Sequence, residues 1–239
     1  MAEQAVRPLA SLVKQTPLIG PLARSLARAP LVERLRERLG FRGSAAYWDA
    51  RYRAGGNSGA GSYGRLAAFK AEVLNEFVAS RHIRSVVEFG CGDGAQLALA
   101  DYPAYDGIDV SPAALALCIE RFGDDPSKRF HQAGALPADF GPFDLALSLD
   151  VIYHLVEDDA FDAYMRELFD HAAAHVVIYA SDRDATGPSP HVRHRAFTPW
   201  VARERPDWRL TGTLVNRYPF DPAAPEETSF ADFHFFERR

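Results

Sequence analysis

Apolar and polar positions along the chain follow two rhythms. Leu66, Phe69, Val73, Leu74, Phe77 and Val78 recur every three or four residues, the stripe of an amphipathic helix. Ser85–Phe89 and Tyr105–Val110 are short runs suited to buried parallel strands. Further strands are predicted at Arg129–Gln132, Phe143–Leu149 and His175–Ala180. Helical patterns lie between them. One starts at Ser111-Pro112, with a serine cap and a proline in the first turn, buries Leu115, Ile119 and Phe122, and stops at Gly123. Another runs from about Glu157, with acids at its start and Phe161, Tyr164, Met165, Leu168 and Phe169 on its inner side. Thr198-Pro199-Trp200 begins a short helix, and Trp208–Tyr218 and Phe230–Phe236 read as two strands. Alternating strands and helices predict an α/β fold.

The first strand runs into Glu88-Phe89-Gly90-Cys91-Gly92-Asp93-Gly94. Glycines at alternate positions let the backbone turn sharply and let a ligand approach main-chain N–H groups. Ala95–Ala100 then reads as a helix start, the layout of a nucleotide-type site. Gly90, Gly92 and Ala95 also satisfy the dinucleotide fingerprint. Glu88 lies inside an apolar strand end, so its carboxylate requires a partner there. The second strand closes on Asp109, at a spacing that suits a carboxylate holding ribose hydroxyls.

Glu88-x-Gly90-x-Gly92-x-Gly94 followed by Ile108-Asp109-Val110-Ser111 resembles the first two motifs of the class I S-adenosylmethionine-dependent methyltransferases. The resemblance covers about Tyr47 to the C-terminus. It implies a Rossmann-like, seven-stranded, mostly parallel sheet ending in an antiparallel hairpin, with S-adenosylmethionine as cofactor. Residues 43–239 would form this domain, behind a helical extension over residues 1–42. Glu88, Gly90, Cys91, Gly92 and Asp93 would lie by the methionine part, and Asp109, Val110 and Ser111 by the ribose. Gln132 and Ala133 would meet the adenine; the acid frequent in the family near this point is absent, so backbone groups would serve. Asp150, at the end of the fourth strand, completes the expected contacts. Tyr47, Trp48, Tyr52 and Tyr63 flank a glycine- and serine-rich loop, and residues 47–64 would fold over the cofactor as a lid that brings in Tyr63. This run also resembles bacterial methyltransferases of sugar and glycan biosynthesis.

Methyl transfer to a hydroxyl needs a proton acceptor. Tyr153 and His154 follow the fourth strand, on the sheet edge that faces ligands in such folds. His154 is the first candidate base; His191 and His194, in the run His191-Val192-Arg193-His194-Arg195, are the second. That run reads equally as a solvated basic patch. A divalent metal is the other route to an activated hydroxyl. Asp150 and Asp182 end neighbouring strands, and their oxygens suit magnesium, but no ligand set is assigned. The expected activity is O-methylation of a small molecule, a sugar or glycan precursor among the candidates. A nicotinamide-dependent oxidoreductase and a catalytically silent cofactor-binding module are the alternatives.

Charge sharpens the choice of partner. The 239 residues carry a net −5, with 47% hydrophobic and 25% charged residues. Residues 1–42 hold eight Lys/Arg and three Glu, a net of +5, which leaves −10 on the remainder. So acidic a domain is a poor phosphate-backbone binder, so nucleic acid is not the expected partner. The leucines and arginines of residues 1–40, cut by Pro8, Pro17, Pro21 and Pro30, read as short packed helices or a tail, with peripheral membrane contact as the functional alternative. Cys91 and Cys118 are the only cysteines, which fits a reducing cytoplasm. No run approaches the ~20 apolar residues of a membrane span.

Overall fold

The computed structural model describes Phe41, residues 43–187 and residues 189–239. The helical extension and the membrane contact expected of residues 1–40 lie outside the described residues. Five helices are described: α1 (Ser44–Arg53), α2 (Gly64–Ser80), α3 (Pro112–Phe122), α4 (Asp158–Asp170) and α5 (Phe197–Glu204). Seven strands build the main sheet: β1 (Val86–Phe89), β2 (Tyr105–Asp109), β3 (Lys128–Gln132), β4 (Phe143–Leu149), β5 (Ala172–Ala180), β8 (Trp208–Leu214) and β9 (Asp232–Arg238). Two short strands between them, β6 (Ala185–Thr186) and β7 (Arg193–His194), pair with each other.

The sheet order is β3-β2-β1-β4-β5-β9-β8. Strands β1 to β5 are parallel, and β9 and β8 close the sheet antiparallel. The expected seven-stranded Rossmann-like sheet with a C-terminal antiparallel pair is therefore present. The chain moves outward through β1, β2 and β3, then returns to place β4 on the other side of β1. That reversal opens a crevice beyond the carboxyl ends of β1 and β4, where such sheets bind ligands. The register pairs Glu88 with Leu147 and Phe89 with Ile108, so Gly90, Val110 and Asp150 emerge on one edge.

Both faces of the sheet are covered. Val87, Phe89, Ala146 and Ile178 pack with Met165, Leu168 and Phe169 of α4 on one side. Val86, Leu145 and Leu147 pack with Phe69, Leu74 and Val78 of α2 and Leu115 of α3 on the other. All four residues of β1 are buried, as a central parallel strand requires. The Ser111 hydroxyl accepts from Ala114 N and Pro112 opens α3, as the capping signals predicted.

Two expectations fail. Ile119, expected on the buried face of α3, is 55% exposed, and Cys118 is buried in its stead. Ala95–Ala100 does not start an α-helix; the segment holds only a 3-10 turn at Leu97–Leu99. Its alanines and leucines favour a helix. Pro103 disfavours helix in the residue ahead of it, and the short link to β2 at Tyr105 overrides the remaining preference. Among the described residues no helix is long and apolar enough to cross a membrane.

Candidate functional site

A cavity of about 740 Å³ lies beyond the carboxyl ends of β1, β2 and β4. The glycine turn forms its floor. Gly90 has φ +86°, and a Cβ there would come within 2.4 Å of Val151. Gly92 has φ +58°, and its Cβ would meet Ser58 Oγ at 2.3 Å and the Tyr52 hydroxyl at 2.8 Å. Glycine is thus required by conformation and by close approach at both positions.

Asp109 is buried beside this turn. It accepts from Gly92 N at 2.9 Å and from Ser111 N at 2.8 Å, one bond to each carboxylate oxygen. Val110 N also acts on it, and a carboxylate offers about four lone-pair sites, so acceptor capacity remains for a ligand. Burial raises its pKa, against the lowering effect of these backbone donors. Glu88 finds the partner its position demanded: the Tyr105 hydroxyl donates to Oε2 at 2.7 Å. Burial still pushes the Glu88 carboxyl up to about 7.

Asp150 ends β4 with φ +61°. The Lys70 ammonium donates to Oδ2 at 2.7 Å and the Tyr153 hydroxyl to Oδ1 at 2.8 Å. The Lys70 side chain is 1% exposed. A charge so deep is tolerable only when paired. Its ammonium also lies 5.3 Å from the Tyr179 ring centroid. Lys70 lines the cavity, as does Gln96, whose Nε2 donates to Ala67 O at 3.1 Å. Gln96 Oε1 is buried and has no hydrogen-bond partner.

His154 faces the cavity from a 3-10 turn at Ile152–His154. Its Nδ1 lies 3.0 Å from the His191 carbonyl oxygen. A carbonyl only accepts, so Nδ1 carries the proton and Nε2 holds the lone pair in the neutral ring. Desolvation lowers the pKa to about 4, so the ring is neutral at physiological pH. Aromatic contacts hold it in place: Trp48 meets it edge-on at 4.8 Å, and His191 stacks on it at 5.6 Å and on Tyr47 at 4.1 Å.

Residues 47–64 pack over the glycine turn. Ser58 N donates to Asp93 Oδ2 and Asp93 N to Ser58 Oγ, both at 3.0 Å, and the Tyr63 hydroxyl donates to Asp93 Oδ2 at 2.6 Å. Burial would raise the Asp93 pKa, but these donors and Ala95 N outweigh it and hold it low. At the other end, Glu157 accepts from Ser44 N at 3.0 Å and from the Ser44 hydroxyl at 2.7 Å, where α1 begins.

Of the residues singled out in the sequence, Glu88, Gly90, Cys91, Gly92, Asp109, Val110, Ala133, Asp150 and His154 line the cavity. Asp93 and Tyr63 instead bond each other in the covering segment. The Ser111 hydroxyl donates to Asp49 of α1 at 2.9 Å. Gln132 pairs with Asp109 at the end of β3. Tyr153 reaches the site through Asp150 and His191 through His154. His194 does not line the cavity; it is buried with its ring 6.1 Å from that of Tyr153 and its Nδ1 2.6 Å from the Ser181 hydroxyl. Asp150 and Asp182 have separate partners, since Asp182 receives Thr198 N at 3.1 Å while Asp150 holds Lys70. No group of three or more His, Cys, Asp or Glu poised for a metal occurs among the described residues.

Trp48 and Tyr52, expected in the covering segment, also line the cavity; Lys70 and Gln96 were not singled out in the sequence. For Lys70 a signal existed: it falls four residues after Leu66 and four before Leu74, on the apolar stripe of α2. A charge on a buried stripe marks a paired or functional group. Gln96 offers no comparable signal.

Residues 87–177 match a family model described as a methyltransferase domain. The chain is similar to the N-methyltransferase NodS from Bradyrhizobium japonicum WM9 in complex with S-adenosylhomocysteine. Identity there is 18%, over 82% of this chain and 98% of that one, with a TM-score of 0.61. It is also similar to magnesium protoporphyrin IX methyltransferase from Synechocystis PCC 6803 with bound S-adenosylmethionine, at 16% identity over 92% and 96% of the chains, TM-score 0.53. A third likeness is to the methyltransferase domain of bacterial CtHen1-C, at 18% identity over 71% and 96%, TM-score 0.56. No curated protein sequence matches the chain. The fold is that of the class I methyltransferases, and the matches support S-adenosylmethionine as the cofactor.

Proposed function

We propose that this chain transfers the methyl group of S-adenosylmethionine to a hydroxyl of a small molecule. The observation that carries the cofactor half is the Asp109–Gly92 contact: a carboxylate at the end of β2 fixed to the glycine turn by a 2.9 Å bond and to Ser111 N by a 2.8 Å bond, with acceptor capacity left over. The glycine floor, the cavity volume and the unpartnered Gln96 Oε1 all fit a ligand with a nucleoside and hydrogen-bond donors.

The oxidoreductase alternative fits less well. A dinucleotide pyrophosphate rests on a helix N-terminus after the glycine turn. Here that helix is replaced by a 3-10 turn, and the carboxylate of Asp109, which has no basic partner among the described residues, lies beside the floor. That carboxylate suits a ribose and disfavours a phosphate at the same place.

When bound, S-adenosylmethionine supplies an activated methyl on a sulfonium. What the chain contributes is position and a proton acceptor. Neutral His154, with Nδ1 committed to the His191 carbonyl, presents Nε2 as the base for an acceptor hydroxyl. The indole of Trp48 and the polar Ser44–Glu157 pair at the same cavity suit a hydroxylated ring, in keeping with a sugar or glycan precursor. Tyr47 to Gly64 act as the lid.

The test is transfer of a labelled methyl group to a panel of sugars, other alcohols and amines. Transfer to hydroxyl acceptors supports the reading. Transfer confined to amines overturns the hydroxyl assignment. Binding of S-adenosylhomocysteine without turnover on any acceptor favours the silent module.

A further inference from the structure

The run His191-Val192-Arg193-His194-Arg195 is only in part a solvated patch. Arg193 is exposed, but Arg195 is 6% exposed, and its guanidinium carbon lies 4.9 Å from the Phe161 ring centroid. Strand β7 lies against the Ile152–His154 turn, and the Arg195 guanidinium meets the chain just beyond that turn. Its Nη2 donates to Leu155 O and to Val156 O, both at 2.9 Å, and its Nε to Leu155 O at 3.3 Å. Its Nη1 donates to Asp158 in the first turn of α4. Arg193 Nη1 adds a bond to Val156 O at 3.0 Å. Among the described residues no backbone amide donates to either carbonyl. Arginine side chains alone therefore hold the two carbonyls between the His154 turn and the Glu157 cap of α4.

Three features of this grip concern the site more than the helix. A cation at the N-terminal end of a helix opposes the macrodipole, so Arg195 is not what α4 itself calls for. A guanidinium is a rigid planar fork with five donors, which lets it bridge two carbonyls and a carboxylate at once; a lysine ammonium is a single point charge. Finally, one hairpin supplies both restraints on His154. The His191 carbonyl, four residues before Arg195, takes the Nδ1 proton at 3.0 Å, and Arg195 fixes the two residues that follow the ring. Arg195 does not itself line the cavity, so it acts through His154.

We propose that Arg195 is a positioning residue for methyl transfer: by holding the Leu155 and Val156 carbonyls it keeps His154 where Nδ1 meets the His191 carbonyl and Nε2 faces the acceptor. This rests on the reading of His154 as the base, given above.

The experiment follows the ring itself, by NMR of protein carrying isotope-labelled histidine, with His154→Ala identifying the signal. Wild type should show the Nδ1-protonated tautomer at neutral pH and titrate at about 4. In Arg195→Met the turn loosens and water reaches the ring. Desolvation is the main cause of the lowered pKa, so the titration should move up toward the ordinary value of about 6.5, and the two tautomers should mix. The other groups that face the ring stay in place: Asp150 at the end of β4, Tyr153 in the turn, Arg51 on α1 and His191 in the hairpin. Turnover on a hydroxyl acceptor found with the labelled methyl group should fall roughly 10- to 100-fold, the scale of a misplaced reacting group. S-adenosylhomocysteine affinity should stay within about twofold, as expected of a residue outside the cavity. Arg195→Lys keeps the charge without the fork and should fall between wild type and Arg195→Met. If Arg195→Met does not fold, Arg195→Lys decides on the same readouts.

A folded variant in which His154 keeps its tautomer and its titration overturns the proposal, even where Tm or turnover falls, and leaves the base and cofactor readings standing. A displaced ring with unchanged turnover overturns the base reading and, with it, the part of Arg195 in the reaction.

Discussion

Ser58 and Asp93 are bonded to each other twice, each backbone amide donating to the other's side-chain oxygen at 3.0 Å. This reciprocal pair ties the glycine- and serine-rich covering segment to the glycine turn. Asp93→Ala removes both acceptor oxygens and also frees the Tyr63 hydroxyl. Hydrogen exchange over residues 55–64 should then accelerate in the mutant while α2 and β4 stay protected. The Asp93 carboxyl titrates below its ordinary value. The bonds are therefore fully present above the usual Asp range near ~3.9 and are lost as pH falls through the lower folded value. Protection of this segment should be flat from neutral pH to about 4. Loss of protection near pH 6 would refute the assignment.

Asp109, proposed to meet the ribose, also fixes the shape of the turn through Gly92 N. Asp109→Ala should weaken S-adenosylhomocysteine binding by about 1.5–3 kcal/mol, the range for hydrogen bonds to a charged group. The amides of Gly92 and Ser111 also lose their acceptors, so Tm should fall with affinity. Calorimetry and thermal unfolding on the same preparation check both. Unchanged affinity in a folded protein would remove Asp109 from the site.

His154 gives a pH signature that an ordinary histidine would not. Its folded pKa is lowered to about 4 by desolvation. In the role proposed for His154 the neutral ring is the active form, so kcat should stay level from neutral pH down to about 5 and fall only as pH approaches 4. A general base at the unperturbed pKa, about 6.5, would lose activity two units earlier. His154→Ala should slow turnover by roughly 10²–10⁴ and leave S-adenosylhomocysteine affinity unchanged. Near-normal turnover would move the base elsewhere; a small loss with amine acceptors alone would identify nitrogen as the methylated atom.

Removing one half of the Lys70–Asp150 pair strands the other. Asp150→Ala leaves the Lys70 ammonium buried without a counter-ion and should cost about 3–5 kcal/mol of stability. The double variant Lys70→Met, Asp150→Ala should recover part of that loss. Chemical denaturation of the single and double variants measures it. A single variant as stable as wild type would show that water or Glu88 compensates.

Strand positions were legible because each strand is a short run set off by turn residues, while the seven-stranded sheet with its antiparallel end came from the resemblance carried by the glycine turn and Asp109. Glu88 was legible as a charge in need of a partner, and Tyr105 is that partner. The segment after Gly94 was not legible. Its residues have helical propensity, and the distance to β2, a tertiary constraint, overrides it. Asp93 was read toward the ligand because it sits between two motif glycines; its carboxylate is instead used by Ser58 and Tyr63, long-range partners that spacing along the chain does not encode. Gln96 became visible only through an unpaired oxygen, which exists once Ala67 and the cavity are in place.

The contact between Ser58 and the glycine turn also bears on the order in which the chain assembles. The segment's bonds to Asp93 join residues 35 apart, and its fit at Gly92 needs a finished turn on a finished strand. Loop closure of that kind is not rewarded until the central strands exist. Ser58→Ala should accordingly leave the refolding rate almost unchanged and raise the unfolding rate, a φ-value near 0 at this position. In kinetic terms the segment is laid down last and comes away first.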